Sequence, residues 1–207
     1  MTEFFEALTD AEIPLIRNAL IVGLLASVAF GVMGSYVTAR RISYVAGSIA
    51  HSVLGGVGAG LFLREVVGWG WMSPMLGAAL AAPAAALIIG MVSMRARERE
   101  DTVIGAVWAV GMAAGLIFLA KTPGYIDLAA YLTGDILIVT GWDIVMVAIL
   151  DAVIVGLAFW YYHVFTAVCF DEEFARLRGI PVEFFYLLLL CLTALTIVLL
   201  VKLTGVI

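Results

Sequence analysis

At 207 residues, with 64% hydrophobic residues, 13% charged residues and a net charge of −5, the chain is too apolar for a soluble domain, whose surface must be mostly polar. The stretches between its clustered charges reach the ~20 residues that one helix needs to cross a bilayer, and their pattern is not that of the ~10-residue alternating strands of a membrane β-barrel. No basic cluster is dense enough for nucleic acid, and Cys169 and Cys191 are too few and too far apart for a disulfide framework. The fold class predicted is an all-α polytopic membrane protein with about six transmembrane helices.

Residues Met1 to Glu12 are acidic and mildly amphipathic, and they lack the basic region of a signal peptide. They read as a retained interfacial segment, with Phe4, Phe5 and Leu8 suited to the headgroup region. Residues 13–207 read as a single transmembrane domain. Its first span is predicted over Ile13 to Ala39, with Pro14 in the first turn and Arg17 snorkelling at one end. The second, Ile42 to Leu63, is closed by Arg64 and Glu65, and Trp69 and Trp71 follow where an aromatic belt would sit. The third runs over Met72 to Met94 and contains Pro83, which suggests a local kink. The polar loop Arg95 to Asp101 leads to a fourth span, Thr102 to Ala120.

The segment after Lys121 is broken by Pro, Gly and Asp yet is too apolar for an ordinary loop, so a short re-entrant or interfacial helix is predicted around Leu128 to Val139. A fifth span follows over Ile144 to His163, then the polar stretch CFDEEFARLRGIP, then a sixth span over Val182 to Val201. Seven Lys and Arg residues (Arg40, Arg41, Arg95, Arg97, Arg99, Arg176, Arg178) fall on one side of this arrangement, and four (Arg17, Arg64, Lys121, Lys202) on the other. The positive-inside rule then puts the amino terminus outside and CFDEEFARLRGIP in the cytoplasm.

Three features carry chemistry. His51 and Asp151 lie about nine and eight residues into their spans, which at ~1.5 Å per residue puts both near the bilayer middle. Imidazole and carboxylate are ligands for divalent transition metals and also parts of proton relays, but a hydrogen bond between helices, from His51 to Asp151 or to Ser48, accounts for them equally. A Ser48–His51 hydrolase is disfavoured, because the helix backbone around them offers no free oxyanion donors. Asp127 and Asp135 can gather cations at an entrance or cap helices. Second, Gly56 and Gly60, and Gly111 and Gly115, are pairs at the spacing that brings helix backbones together. Third, Asp171 to Gly179 is a complete short helix. Asp171 caps it, Glu172 and Glu173 fill its first turn, Phe174 and Leu177 share a face, Arg176 and Arg178 suit its last turn, and Gly179 stops it. It reads either as a helix lying on lipid or its own bundle, or as a docking helix for a soluble partner.

Four blocks in order, RRISYVAGSIAHSVLGGVG (Arg40 to Gly58), DTVIGAVWAVGMAAGLI (Asp101 to Ile117), DLAAYLTGDIL (Asp127 to Leu137) and FDEEFARLRGIP (Phe170 to Pro181), resemble the permease subunits of bacterial zinc and manganese ABC importers. The resemblance implies a homodimeric permease in the bacterial cytoplasmic membrane. It would work with two cytoplasmic ATPase subunits, which bind and hydrolyse ATP, and with an extracytoplasmic metal-binding protein. Zinc or manganese would be cargo, and the chain itself would hold no cofactor and would not be an enzyme. Asp171 to Gly179 resembles the family's coupling helix, and His51 matches the histidine of its membrane-embedded site.

Two departures stand out. Many family members carry an aspartate four residues before that histidine, where this chain has Gly47. Asp151 is the candidate to supply the missing carboxylate. The family pattern also continues past the position of Gly205 with an apolar stretch, a Pro-Ala-Ala element and a further hairpin, so the chain reads as truncated at its carboxy terminus. The alternatives are a permease for a ferric chelate or corrinoid and, in another class, a membrane scaffold whose buried polar groups are structural.

Overall fold

The computed structural model describes residues 15–95, 100–123 and 141–204. The segment 1–12 and the helix expected around Leu128 to Val139 lie outside the described residues, which form helices and no strand. In chain order these are α1 (Leu15–Arg40), α2 (Ser43–Glu65), α3 (Pro74–Arg95), α4 (Glu100–Lys121), α5 (Gly141–Trp160), α6 (Tyr162–Phe170), α7 (Glu172–Leu177) and α8 (Val182–Thr204). Among the described residues, α1, α2, α3, α4 and α8 are long and apolar enough to cross a membrane, and α5 with α6 makes a sixth span if the pair is one broken crossing.

Two cores are built on opposite faces of α8. Leu189, Leu192 and Leu199 pack with Val22, Ala26 and Met33 of α1, with Ile154 of α5 and with Phe165 of α6. Leu190, Ala194, Ile197 and Val198 pack with Ile49 and Val53 of α2 and with Ala82 and Ile89 of α3. The outer faces keep large apolar side chains exposed, such as Leu24, Leu80, Val110 and Ile149, as a lipid-facing surface requires. Lipid tails are as apolar as these cores, so helix contact depends on close packing rather than on escape from water.

α2 supplies that packing. A Cβ on Gly55 would stand 2.7 Å from the Gly111 carbonyl oxygen, and one on Gly58 would stand 2.6 Å from that of Gly115, both on α4. On its other side, Gly56 meets the backbone of Gly77 in α3, and a Cβ on Gly60 would stand 2.8 Å from the Ser73 carbonyl oxygen. No side chain fits between these backbones.

The span expected without interruption from Ile144 to His163 is broken. α5 stops at Trp160, and α6 leaves at 71°. The hydrogen bonds run through the break, with Tyr161 N–H donating to Leu157 (3.0 Å) and Phe165 N–H to Tyr161 (2.8 Å). What the bend gains is aromatic burial. Phe165 becomes fully buried, with its ring edge-on to those of Tyr36, Tyr161 and Phe185. Pro83, by contrast, lies within a single continuous helix, α3.

Candidate functional site

His51 sits partly exposed in the middle of α2, and its ring is stacked on the Trp108 indole of α4, with centroids 4.3 Å apart and planes 5° apart. Trp108 is held in turn by its Nε1–H, which points at the Met112 sulfur one turn on, at 3.0 Å. The stack covers one face of the imidazole and leaves its nitrogen-bearing edge as the part that can meet an ion. Gly47, one turn before His51, is exposed, and a Cβ built there meets nothing within 4 Å.

The neighbouring serine hydroxyls are engaged by backbone carbonyls rather than by His51. Ser48 is fully buried, and its hydroxyl donates to the Ile104 carbonyl of α4 at 2.8 Å. The one Ser52 hydroxyl proton is shared between the Ser48 carbonyl of its own helix (3.0 Å) and the Val107 carbonyl of α4 (3.3 Å). These bonds stitch α2 to α4 and satisfy hydroxyls that lipid cannot.

Asp151 lies on another seam. Its Oδ1 accepts the backbone N–H of Ala29 in α1 at 3.1 Å. α5 packs on α1, whereas α2 packs on α3 and α4, so the structure brings His51 to Trp108 and Asp151 to Ala29 rather than to each other. Among the described residues no three His, Cys, Asp or Glu side chains cluster as a metal site. Asp127 and Asp135 lie outside the described residues.

α7 is assembled as a local unit. Asp171 is extended (φ −150°), and its Oδ1 accepts the Phe174 N–H at 2.9 Å. Glu172 and Glu173 occupy the first turn. Gly179 takes φ +76°, a value that favours glycine, and Ile180 N–H donates back to Ala175 at 3.1 Å. Ala175 is fully buried against Val168 and Val182. The opposite side shows Phe174 (47% exposed) and Leu177 (87%), with Arg178 lying 5.0 Å from the Phe174 ring centroid. The charges do not act alike. Glu173 is exposed, but Glu172 turns inward and pairs with Arg40, a partner that sequence reading missed because it lies 132 residues away.

Comparison with known proteins places this architecture. The sequence profile described as the ABC 3 transport family matches residues 12–207. A Chlamydia muridarum protein named "Probable metal transport system membrane protein" is 42% identical over 195 residues, covering 94% of this chain and 66% of that protein. The "Manganese transport system membrane protein MntC" of Listeria monocytogenes is 32% identical over 183 residues, covering 88% of this chain and 63% of that protein. The chain thus spans slightly less than two thirds of either relative's length. Among solved structures, "PsaBC from Streptococcus pneumoniae in complex with Fab" superposes with a TM-score of 0.82 at 28% identity, covering 99% of this chain and 71% of that one. With its apolar helices, its glycine-packed α2 and its short capped helix between two spans, the chain belongs to the ABC 3 transport family.

Proposed function

We propose that the chain forms the transmembrane permease of an ATP-driven importer of a divalent transition metal, with manganese or zinc as cargo, in a bacterial cytoplasmic membrane. The observation that carries this reading is α7, a six-residue helix that buries Ala175 in the bundle and holds Phe174 and Leu177 outward. Exposed apolar side chains on a short, capped helix between spans suit a socket on a soluble protein. The relatives' names supply the cargo class, and the Listeria relative's name supplies manganese.

In this reading ATP is bound and hydrolysed on partner subunits that receive α7, and a second copy of the permease completes the pathway. An extracytoplasmic protein captures the metal and delivers it. His51 offers the ion a single imidazole, with one face covered by Trp108. A pathway site must release what it binds, and one nitrogen donor, with no preformed cluster among the described residues, favours release. The bundle passes between outward-open and inward-open states because the ATPase binds the two states with different affinity.

Two measurements test the reading. The purified ATPase subunit binds the detergent-solubilised permease, and Leu177→Asp abolishes that binding; unchanged binding removes the docking assignment. Elemental analysis of starved cells that express the permease, ATPase and capture protein, then given Mn, Zn, Fe and Co together, shows one metal rising. That rise is lost in His51→Ala. A metal that accumulates equally in the variant takes His51 out of the pathway.

A further inference from the structure

α7 is fastened to the bundle by a side chain from far back in the sequence. Arg40 is the last residue of α1. Arg41 turns the chain with φ 60°, and α2 begins at Ser43, so Arg40 stands at the corner from which the His51 helix departs. Its guanidinium touches three other helices. Nη2 is paired with Glu172 in the first turn of α7. Nη1 donates to the Val168 carbonyl of α6 at 3.2 Å. Cζ lies 5.2 Å from the Tyr186 ring centroid of α8. The planar, multi-donor guanidinium can make these contacts together, which the single point charge of a lysine cannot.

The surroundings favour a device with two arrangements. The Arg40 and Glu172 side chains are 23% and 36% exposed, so the pair is only partly screened by solvent. A cleft of about 230 Å³ opens beside them, lined also by Ser93, Arg176 and Glu183. Glu183 gives Arg40 a second carboxylate in the same cleft, and Arg176 gives Glu172 a second cation. A helix of six residues has little stability of its own, so it moves as a body with whatever grips it.

We infer that Arg40 is a positioning residue that transmits displacement of α7 to the α1–α2 corner, and so to the helix carrying His51. This rests on the reading of α7 as the ATPase-docking helix. Pulling α7 would load the Arg40–Glu172 pair, because among the described residues it is the ion pair that joins α7 to another helix.

The test uses proteoliposomes containing the permease, its ATPase and the metal-loaded capture protein. It measures metal transported per ATP hydrolysed alongside ATPase binding to the permease. Arg40→Gln is expected to lower metal per ATP about fivefold or more while ATPase binding stays unchanged. Glu172→Gln should do the same, and the double variant should be no worse than either alone. An unchanged ratio in Arg40→Gln overturns the inference, as does a loss matched by an equal loss of ATPase binding, since Arg40 would then only hold the helix in place. If Arg40→Gln does not yield a monodisperse protein, Glu172→Gln decides: a lowered ratio with intact ATPase binding supports the link, and an unchanged ratio overturns it. A wild-type permease that does not bind the ATPase defeats the docking reading itself, a result separate from the others.

Discussion

The His51 imidazole lies flat against the Trp108 indole, with centroids 4.3 Å apart, although the two residues stand on different helices. The indole restricts the imidazole's rotamers and presents its edge at a fixed height in α2. Stacked aromatic pairs are worth about 0.5–1.5 kcal/mol beyond their buried area. Trp108→Leu is therefore expected to raise the metal concentration for half-maximal uptake by roughly 2–10-fold, while Trp108→Tyr stays near wild type. Concentration-dependent uptake into proteoliposomes checks this. Equal behaviour of the two variants would show that the aromatic face is not what positions His51.

Gly47 gives a gain-of-binding prediction. Its position is exposed one turn from His51, and a side chain there meets no atom within 4 Å. Gly47→Asp places a carboxylate on the same helix face as the imidazole. Metal binding to the purified variant is expected to tighten by about tenfold, equivalent to about 1.4 kcal/mol, because a second donor joins the first. Calorimetry with Zn(II), or Mn(II) resonance titration, reads it out. The tighter hold should slow release, so maximal uptake falls as affinity rises.

The glycine contacts on α2 predict sharp positional sensitivity. A Cβ on Gly111 would lie 2.7 Å from the Ser52 Cα, a backbone atom with nowhere to go. Gly111→Leu should destabilise the bundle by about 1–3 kcal/mol or more. The apparent melting midpoint would drop by roughly 2–4 °C per kcal/mol for a chain of this size. Gly34→Leu, with nothing within 4 Å of its Cβ, should leave the midpoint unchanged. Thermal shift in detergent distinguishes the two positions.

Asp151 predicts a separation of stability from transport. Its contact with the Ala29 N–H ties α5 to α1, so Asp151→Leu should cost about 0.5–1.5 kcal/mol or somewhat more, while Asp151→Asn keeps an acceptor and costs less. Metal affinity should match wild type in both variants. Equal loss of uptake in Asn and Leu variants that remain stable would instead put the carboxylate in the ion's path.

Some of this was legible in the sequence because its cause is local. Apolar length located the spans, and the caps of α7 are written within nine residues, from Asp171 to Gly179. The bend at Tyr161 was not legible, since no Gly or Pro marks it; it follows from where Phe165 finds its aromatic neighbours. The depth of Asp151 along its helix could be counted, but the side of the helix it uses depends on α1. Glu172 looked like part of a charged docking surface, and only the folded chain shows that Arg40 turns it inward. Each of these misses is a contact between distant residues.

The glycine contacts also bear on how the bundle can move. At the glycines where α2 meets α3 and α4 there is backbone against backbone, with no side-chain layer at those points to shear or repack. Those three helices therefore travel together as a stiff slab. α1, although joined to α2 by a two-residue corner, touches it only sparsely. Among the described residues the sparse seam lies between that slab and the α1–α5 pair, and Arg40 stands at its end.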